Sequence, residues 1–197
     1  MMATYRAVAS TCEAVMRLLK QSWSKPLFDN QDLVFEVYQT ADFTSPMSFG
    51  VSLFLYRVSV SRVQRTPPSR PGPDGRPRRS QLPLELHMLL TPWATDASLA
   101  QEILGWMLRT LESTPIIPSG ILNSSADGVF HADETVELIP SELSNEELFR
   151  IWDVVDEKFH VSVPYIARLV RIDSEIEESD GGPVLQRDLN FGTLREP

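Results

Sequence analysis

The sequence has a single cysteine and no long apolar run, and these two shortages exclude whole classes of protein. Cys12 has no partner for an internal disulfide, and its apolar, helix-like surroundings predict a small core residue. A membrane-spanning helix needs about 20 consecutive apolar residues, and no stretch comes near that length. Arg6, Glu13 and Arg17 also interrupt the opening segment, which does not resemble a secretion signal. We expect a soluble protein that is made in the cytoplasm and has no membrane span.

Positive charge and catalytic motifs are scarce as well. Lys and Arg number 18 against 27 Asp and Glu, and the resulting net charge of −9 argues against a nucleic-acid partner. No serine lies in a Gly-x-Ser-x-Gly turn, and no glycine-rich loop is present to hold a phosphate. One polar stretch contains four potential metal ligands whose spacing matches no common motif, so an ordinary loop is the favoured interpretation: Asp127, His131, Asp133 and Glu134. The sequence predicts neither an enzyme nor a metal or cofactor site.

What the sequence does contain is a set of short runs typical of β-strands, rich in β-branched and aromatic residues. Residues 50–60 and 82–90 flank a segment, 61–81, that carries five prolines and six arginines. This pattern predicts a long antiparallel hairpin with a flexible, basic tip. Thr91-Pro92 is predicted to end the second strand, because proline donates no hydrogen bond to a ladder.

Three further runs complete the predicted sheet. Residues 33–38 and 135–139 read as short strands, and 161–172 reads as a long one. Pro164 lies in this last strand and indicates a bulge or an edge position. The polar stretch 123–133 is predicted to be a mobile loop.

Three amphipathic helices are predicted, one before the first strand and two between later strands. Residues 5–20 repeat apolar side chains at three- and four-residue steps. Asp96 is a good N-cap for a second helix, and Ser144 with Glu147 matches the capping box at the start of a third.

The order of elements predicts one α+β domain over residues 1–173, with a mostly antiparallel sheet, a long β-hairpin and helices packed on the sheet. The acidic tail that follows, 174–197, is predicted to be disordered when the protein is alone.

Several of these runs also follow one another as in a known family. They are Val51–Val58, Leu84–Ala94, Leu104–Arg109, Pro115–Gly120, Leu143–Trp152 and Ser162–Asp173. In this order the chain resembles the cap, or tail-terminator, family of extracellular contractile injection systems, which are phage-tail-like particles of the antifeeding-prophage and virulence-cassette type. The resemblance covers about residues 5–173, and the strand that runs into Thr91-Pro92-Trp93 is its most specific part.

The resemblance implies a structural role on a phage tail-terminator-like fold. Members of that family are similar to six-subunit rings that close the end of the inner tube and the contractile sheath and so stop polymerisation. The implied partners are further copies of the chain and the sheath and tube proteins. The implied location is the cytoplasm during assembly and the particle afterwards. Two features depart from the family, since some relatives continue into further domains and the basic tip is lengthened here.

A second interpretation remains open, in which the chain is an adaptor that attaches a membrane, a cargo or another partner to such a particle. The basic tip or the acidic tail would then hold the partner. A solvated linker is an equally good interpretation of the tip. An enzyme that works through residues 127–134 is a distant third possibility.

Candidate interface residues follow from these features. The tip arginines provide a docking arm for an acidic protein surface, Trp93 belongs to a residue type enriched at interface hot spots, and an edge strand with Pro164 could accept an extended arm. In a strand exchange, each subunit accepts an extended arm from one neighbour and gives an arm to another. As a hypothesis, the cap accepts an arm without giving one, and growth ends there. The candidate set is Tyr56, Arg57, Arg62, Arg65, Arg76, Arg78, Arg79, Thr91, Pro92, Trp93, Pro164 and Tyr165.

Overall fold

A six-stranded sheet runs through the centre of the molecule. The computed structural model describes residues 4–24, 32–61, 75–76, 80–155 and 158–176. In chain order the elements are α1 (Ala7–Ser22), β1 (Val34–Tyr38), a 3-10 turn (Thr40–Thr44), β2 (Gly50–Val60), β3 (Leu82–Trp93), α2 (Ala97–Ser113), β4 (Ile116–Pro118), α3 (Ser119–Leu122), β5 (Thr135–Pro140), α4 (Asn145–Val155) and β6 (Val163–Ile172). Most of the predicted hairpin tip, 61–81, and of the predicted disordered tail, 174–197, lies outside the described residues.

The strand order is β1-β2-β3-β6-β5-β4, so β1 and β4 form the two edges. β1 pairs with β2 in parallel, and every other neighbouring pair is antiparallel. β2 and β3 form the predicted long hairpin, with Gly50 opposite Trp93 at one end and Val60 opposite Leu84 at the other. This arrangement confirms the predicted α+β domain with a mostly antiparallel sheet.

One face of the sheet carries the main core beneath α1, α2 and α3. Leu53, Met88 and Ala167 point from β2, β3 and β6 into this core and are fully buried. The helices meet them with their apolar stripes, which include the predicted core residue Cys12. The aliphatic stripe of α1 and that of α2 therefore share one continuous core with the sheet.

Within the described residues, α4 and the 3-10 turn cover one end of the opposite face. A mostly aromatic cluster forms there from Tyr38, Phe43, Leu89, Trp93, Trp152 and Val155. The rings meet mainly edge to face, as aromatic pairs prefer, with Phe43 and Trp152 at a centroid distance of 5.7 Å. Because the side chains of a strand alternate between faces, β3 supplies Met88 to the first core and Leu89 to this aromatic cluster.

Local signals in the sequence place two helix starts correctly. The Asp96 Oδ1 atom accepts a hydrogen bond from the Leu99 amide at 2.9 Å, which caps α2. At α4 the Glu147 amide donates to the Ser144 hydroxyl, and the Glu147 carboxylate accepts from the Ser144 amide at 2.9 Å. Both predicted caps are confirmed, because their partners lie only three residues apart in the chain.

The predicted end of β3 at Thr91-Pro92 is wrong, since the strand continues to Trp93. β6 pairs with β3 no further than Leu90, opposite Val163, so only β2 flanks Pro92. A residue without a backbone N–H is tolerated where one side of the strand has no partner.

The predicted edge position of Pro164 is also wrong. β6 lies between β3 and β5, and Pro164 is the second residue of this interior strand. An irregularity in β6 does exist, but it lies further along, between the pairs Leu86–Ala167 and Leu84–Val170, where Leu169 has a φ of 66°. The edge strands that could accept an arm are therefore β1 and β4.

Candidate functional site

Three of the predicted interface residues are buried inside the chain. The Trp93 indole is 3% exposed and donates a hydrogen bond from Nε1 to the Ser52 hydroxyl at 2.8 Å. Thr91 is 1% exposed, and its hydroxyl lies 2.8 Å from that of Ser162. Tyr165 is 3% exposed in the main core. These side chains stabilise the subunit and offer almost no surface to a partner.

The other described candidates lie at separate places on the molecule. Tyr56 and Arg57 sit at a register shift in β2, where Tyr56 is half-buried at the edge of the aromatic cluster and Arg57 is exposed. Arg76 is exposed. Pro92 and Pro164 lie towards the opposite end of the hairpin, and Pro92 lines a cavity there. Four tip arginines lie outside the described residues: Arg62, Arg65, Arg78 and Arg79.

The structure shows an exposed apolar region that sequence reasoning missed. We call it the α4 surface, and its members are Phe149, Phe159 and Val161. Their side chains are 50%, 47% and 58% exposed, in that order. The two phenylalanine rings meet edge to face at a centroid distance of 5.2 Å. A soluble chain seldom leaves such side chains together on its surface unless they contact another molecule.

A cavity of about 230 Å³ adjoins the α4 surface. Its wall is formed by Pro92 at the end of β3, by Leu104 on α2, and by Phe159 and Val161. Phe159 and Val161 thus belong to both the cavity and the surface. The combined feature is an apolar groove at the Trp93 end of the hairpin.

Acidic side chains are exposed on α4, the helix that carries Phe149. Glu146, Glu147 and Asp153 are exposed, and Arg150 pairs with Glu146 at 2.7 Å. Hydrogen bonds from the Ser144 amide and hydroxyl lower the pKa of Glu147. From residue 141 to 161 the sequence has six acidic and two basic residues, so this part of the molecule carries a clear negative charge.

A second open feature lies beside the edge strand β1. A cavity of about 790 Å³ separates this strand from α1. Glu13, Arg17 and Lys20 line it from the helix, and Phe35 and Val37 line it from the strand. Among the described strands β1 lies at the edge of the sheet and pairs with β2 alone, so its outer backbone groups face no other described strand.

The potential metal ligands of the polar stretch make other contacts. The Glu134 carboxylate accepts a hydrogen bond from the His131 amide at 2.8 Å, and the His131 ring lies 3.0 Å from an Asp173 oxygen. Asn123 holds the loop by two hydrogen bonds to the Phe130 backbone, at 2.8 and 2.9 Å, and Phe130 is buried. Within the described ranges, no group of three or more His, Cys, Asp or Glu side chains is placed to hold a metal ion.

Two further reactive side chains, Cys12 and His87, have environments that favour their neutral forms. Burial raises the pKa of the Cys12 thiol to about 12, so this thiol is not a nucleophile at neutral pH. Burial, and next the charge of Arg57, lowers the pKa of His87, whose ring lies 3.1 Å from the Ser59 hydroxyl. In the part of the chain that the structure describes, no helix has the length and apolar character needed to cross a membrane.

Comparison with solved structures identifies two assemblies with this fold. The sheath/tube terminator of PVC, an extracellular contractile injection system in its extended state, has a TM-score of 0.61 and 16% sequence identity, and the match covers 98% of this chain and 65% of that chain. The tube-terminating cap of the anti-feeding prophage has a TM-score of 0.57 and 16% identity, with 90% of this chain and 59% of that chain covered. The chain thus spans less than two thirds of either structure.

Sequence comparison gives the family. No curated protein sequence matches the chain significantly. The model of one protein family, described as the Pvc16 N-terminal domain, matches residues 10–186, which include every described strand and nearly all of the first helix. By this match the chain belongs to the Pvc16 N-terminal domain family.

Proposed function

We propose that the chain is a structural cap that forms a ring at the end of the inner tube and contractile sheath of an extracellular contractile injection system and ends their polymerisation. Membership of the Pvc16 N-terminal domain family carries this proposal. The fold likeness to a sheath/tube terminator and to a tube-terminating cap supports it. The proposed partners are other copies of the chain, in a six-subunit ring, together with the sheath and tube proteins.

The role needs surfaces rather than chemistry. A ring of identical subunits requires two different, mutually complementary surfaces on each subunit, and the ring closes when the rotation between neighbours is a simple fraction of a turn. The α4 surface and the edge strand β1 are two different features through which one subunit would contact different neighbours. Because both structural relatives are described as terminators, we propose a protein that assembles in the cytoplasm, remains in the particle and catalyses no reaction.

The hypothesis that the cap accepts an arm without giving one applies to β1, because β1 is an edge strand and β6 is not. An arm from a neighbouring protein could pair with the outer edge of this strand, where Val34 and Val37 are each 41% exposed. The adjacent groove leaves room for the side chains of the added strand. If the cap accepts an arm there and presents none in return, the next sheath ring has nothing to pair with, and growth ends.

Removal of the gene tests the proposed function directly. Electron microscopy of particles from cells that lack the protein should show tubes and sheaths of uncontrolled length, or tubes without a retained sheath. Complementation with the unaltered gene should restore uniform length. The purified protein should also show a species of about six times its 22.3 kDa chain mass, alone or on the particle. Particles of normal, uniform length without the protein would refute a terminating role.

Deletion of residues 63–80 separates the hairpin tip from the rest of this mechanism. If the tip contributes to capping, particle length and sheath retention should change as they do on removal of the gene. Unchanged length would exclude the tip from the mechanism and leave the proposed role of the domain intact.

A further inference from the structure

We propose that the α4 surface binds the arginine- and proline-rich hairpin segment, residues 62–79, of a neighbouring copy of the chain. The inference rests on the proposed ring, for which it supplies the contact between subunits. Three observations carry it: the apolar groove, the net negative charge of residues 141–161, and the position of the groove relative to the hairpin.

The groove suits a proline-rich chain. Prolines favour the extended polyproline II helix, which loses little conformational entropy on binding and docks on surfaces lined by aromatic side chains. Phe149 and Phe159 present such rings, and the cavity of about 230 Å³ lies directly beside Phe159. Segment 62–79 contains five prolines, among them Pro68 and Pro71. Residues three apart share one side of a polyproline II helix, so these two would face the groove together.

The charges of the two partners are opposite. Segment 62–79 has six arginines and one acidic residue, whereas residues 141–161 have six acidic and two basic residues. Glu147 and Asp153 are exposed on α4, on the helix that carries Phe149. Arginine also stacks on aromatic rings. The arginines of the segment would therefore stack on the phenylalanine rings of the α4 surface and pair with carboxylates of α4.

The position of the groove favours a neighbour over the same chain. The His160 ring lies 4.5 Å from the Trp93 ring, so the groove is at the Gly50–Trp93 end of the hairpin. The arginine-rich segment leaves the sheet after Ser61, at the other end of β2, and eleven strand residues span about 35 Å. Two complementary features at opposite ends of one subunit are what a head-to-tail ring requires.

A peptide titration tests the contact without requiring a complete ring. A fluorescent synthetic peptide of residues 62–79 is titrated with the full chain, and anisotropy gives the Kd. Phe159→Ala and Asp153→Lys should each weaken binding by roughly tenfold, as expected for central interface residues. Glu112→Lys is the matched control, an equal charge change at an exposed position near the end of α2, and should change the Kd by less than about twofold. A scrambled peptide of the same composition should bind more weakly.

Crosslinking decides which copy supplies the segment. Asn145→Cys, one turn before Phe149 on the same side of α4, and Ser69→Cys are placed in separate preparations, which are mixed and treated with a short bis-maleimide, while the native Cys12 is buried and unreactive. A crosslinked dimer is expected from the mixture. A product formed only within a chain that carries both substitutions would overturn the assignment to a neighbour.

The inference fails if the wild-type chain does not bind the peptide up to about 1 mM, which is the weakest range expected for a specific contact. Equal weakening by Glu112→Lys and Asp153→Lys would also overturn it, because binding would then reflect net charge alone. The gene-removal experiment is independent of both outcomes. If removal of the gene abolishes length control while the groove variants bind normally, the cap function stands and this contact does not.

Discussion

Replacement of Trp93 by alanine should destabilise the subunit itself. The indole packs against Tyr38, Phe43 and Trp152 at centroid distances of 6.2 to 6.3 Å, and its Nε1 atom donates to Ser52. Its side chain is 3% exposed. Trp93 was a predicted interface residue, so the substitution distinguishes a packing role from a contact with a partner.

The magnitude follows from burial and from the hydrogen bond. A buried tryptophan removes about 200 Å² from water, which at about 25 cal/mol per Å² corresponds to about 5 kcal/mol as an upper value. Measured losses for such truncations are about 3–5 kcal/mol. The Ser52 hydroxyl, which is fully buried, would also lose the indole as its donor, at a cost of about 1–3 kcal/mol. We expect the free energy of unfolding to fall by at least about 4 kcal/mol.

Urea denaturation of the purified chain, followed by far-ultraviolet circular dichroism, measures this loss. Trp93→Phe keeps an aromatic ring in place and removes the donor, so it should cost less than Trp93→Ala. Phe149→Ala is the matched control, because this aromatic residue is 50% exposed, and its loss should cost less than about 1 kcal/mol. If Trp93→Ala costs no more than Phe149→Ala, the assignment of Trp93 to the core is refuted.

The remaining predictions concern helix ends, a close approach of backbones and pH. Asp96→Ala should lower the free energy of unfolding by about 1 kcal/mol through loss of the α2 cap, whereas Asp96→Asn should retain most of it, as measured by urea denaturation. Gly50→Ala should unfold or strongly destabilise the chain, because Gly50 has a φ of +154° and a Cβ there would overlap the Val34 carbonyl oxygen. Gly105→Ala, at a position in α2 where the added methyl group meets open space, should instead raise the free energy of unfolding by about 0.5–1 kcal/mol. Thermal melts of both glycine variants measure these changes. The lowered pKa of Glu147 means that its carboxylate favours the folded state above the unfolded pKa of about 4.5, and that this contribution is lost as the pH falls through the lower folded value. Wild type should therefore exceed Glu147→Gln in melting temperature at pH 7, and the difference should disappear in strong acid; a difference that does not change with pH would contradict this reasoning.

Several elements of the fold could be predicted because their causes are local. The apolar stripe of α1 repeats every three to four residues, and the predicted helix at 5–20 lies within two residues of the observed Ala7–Ser22 at both ends. The caps at Asp96 and Ser144 use partners three residues away. The run at 50–60 is rich in residues that favour strands, and β2 has the predicted bounds.

Other elements were missed because too little local signal marks them. β4 and α3 are three and four residues long, and no strand or helix is predicted for them from the sequence. The β4 strand exists because β5 pairs with it from about twenty residues later in the chain. Nothing within the three residues of Ile116–Pro118 indicates that partner.

The sequence also does not indicate which of the candidate interface residues are exposed, because exposure depends on elements distant in the chain. Trp93 looks available in the sequence because it follows a proline, yet α4 covers it from about sixty residues away. Phe149 and Val154 look like ordinary helix residues, and only the docking of α4 through Trp152 and Val155 leaves them on the outside. The edge position predicted for the last strand rested on Pro164, and the structure places that strand in the interior of the sheet.

The sequence by itself determined the three long helices, the long hairpin and the α+β class, because periodicity, caps and turn residues act over a few neighbouring positions. The resemblance to a family came separately, from the order of the motifs along the chain. Only the tertiary structure decided that Pro164 lies in an interior strand, that β1 is an open edge and that Trp93 is buried beneath α4. These outcomes depend on which distant strands pair and which helix covers which face. Such choices are made by the free energy of the whole packed chain, in which contacts distant in sequence compete for the same surfaces.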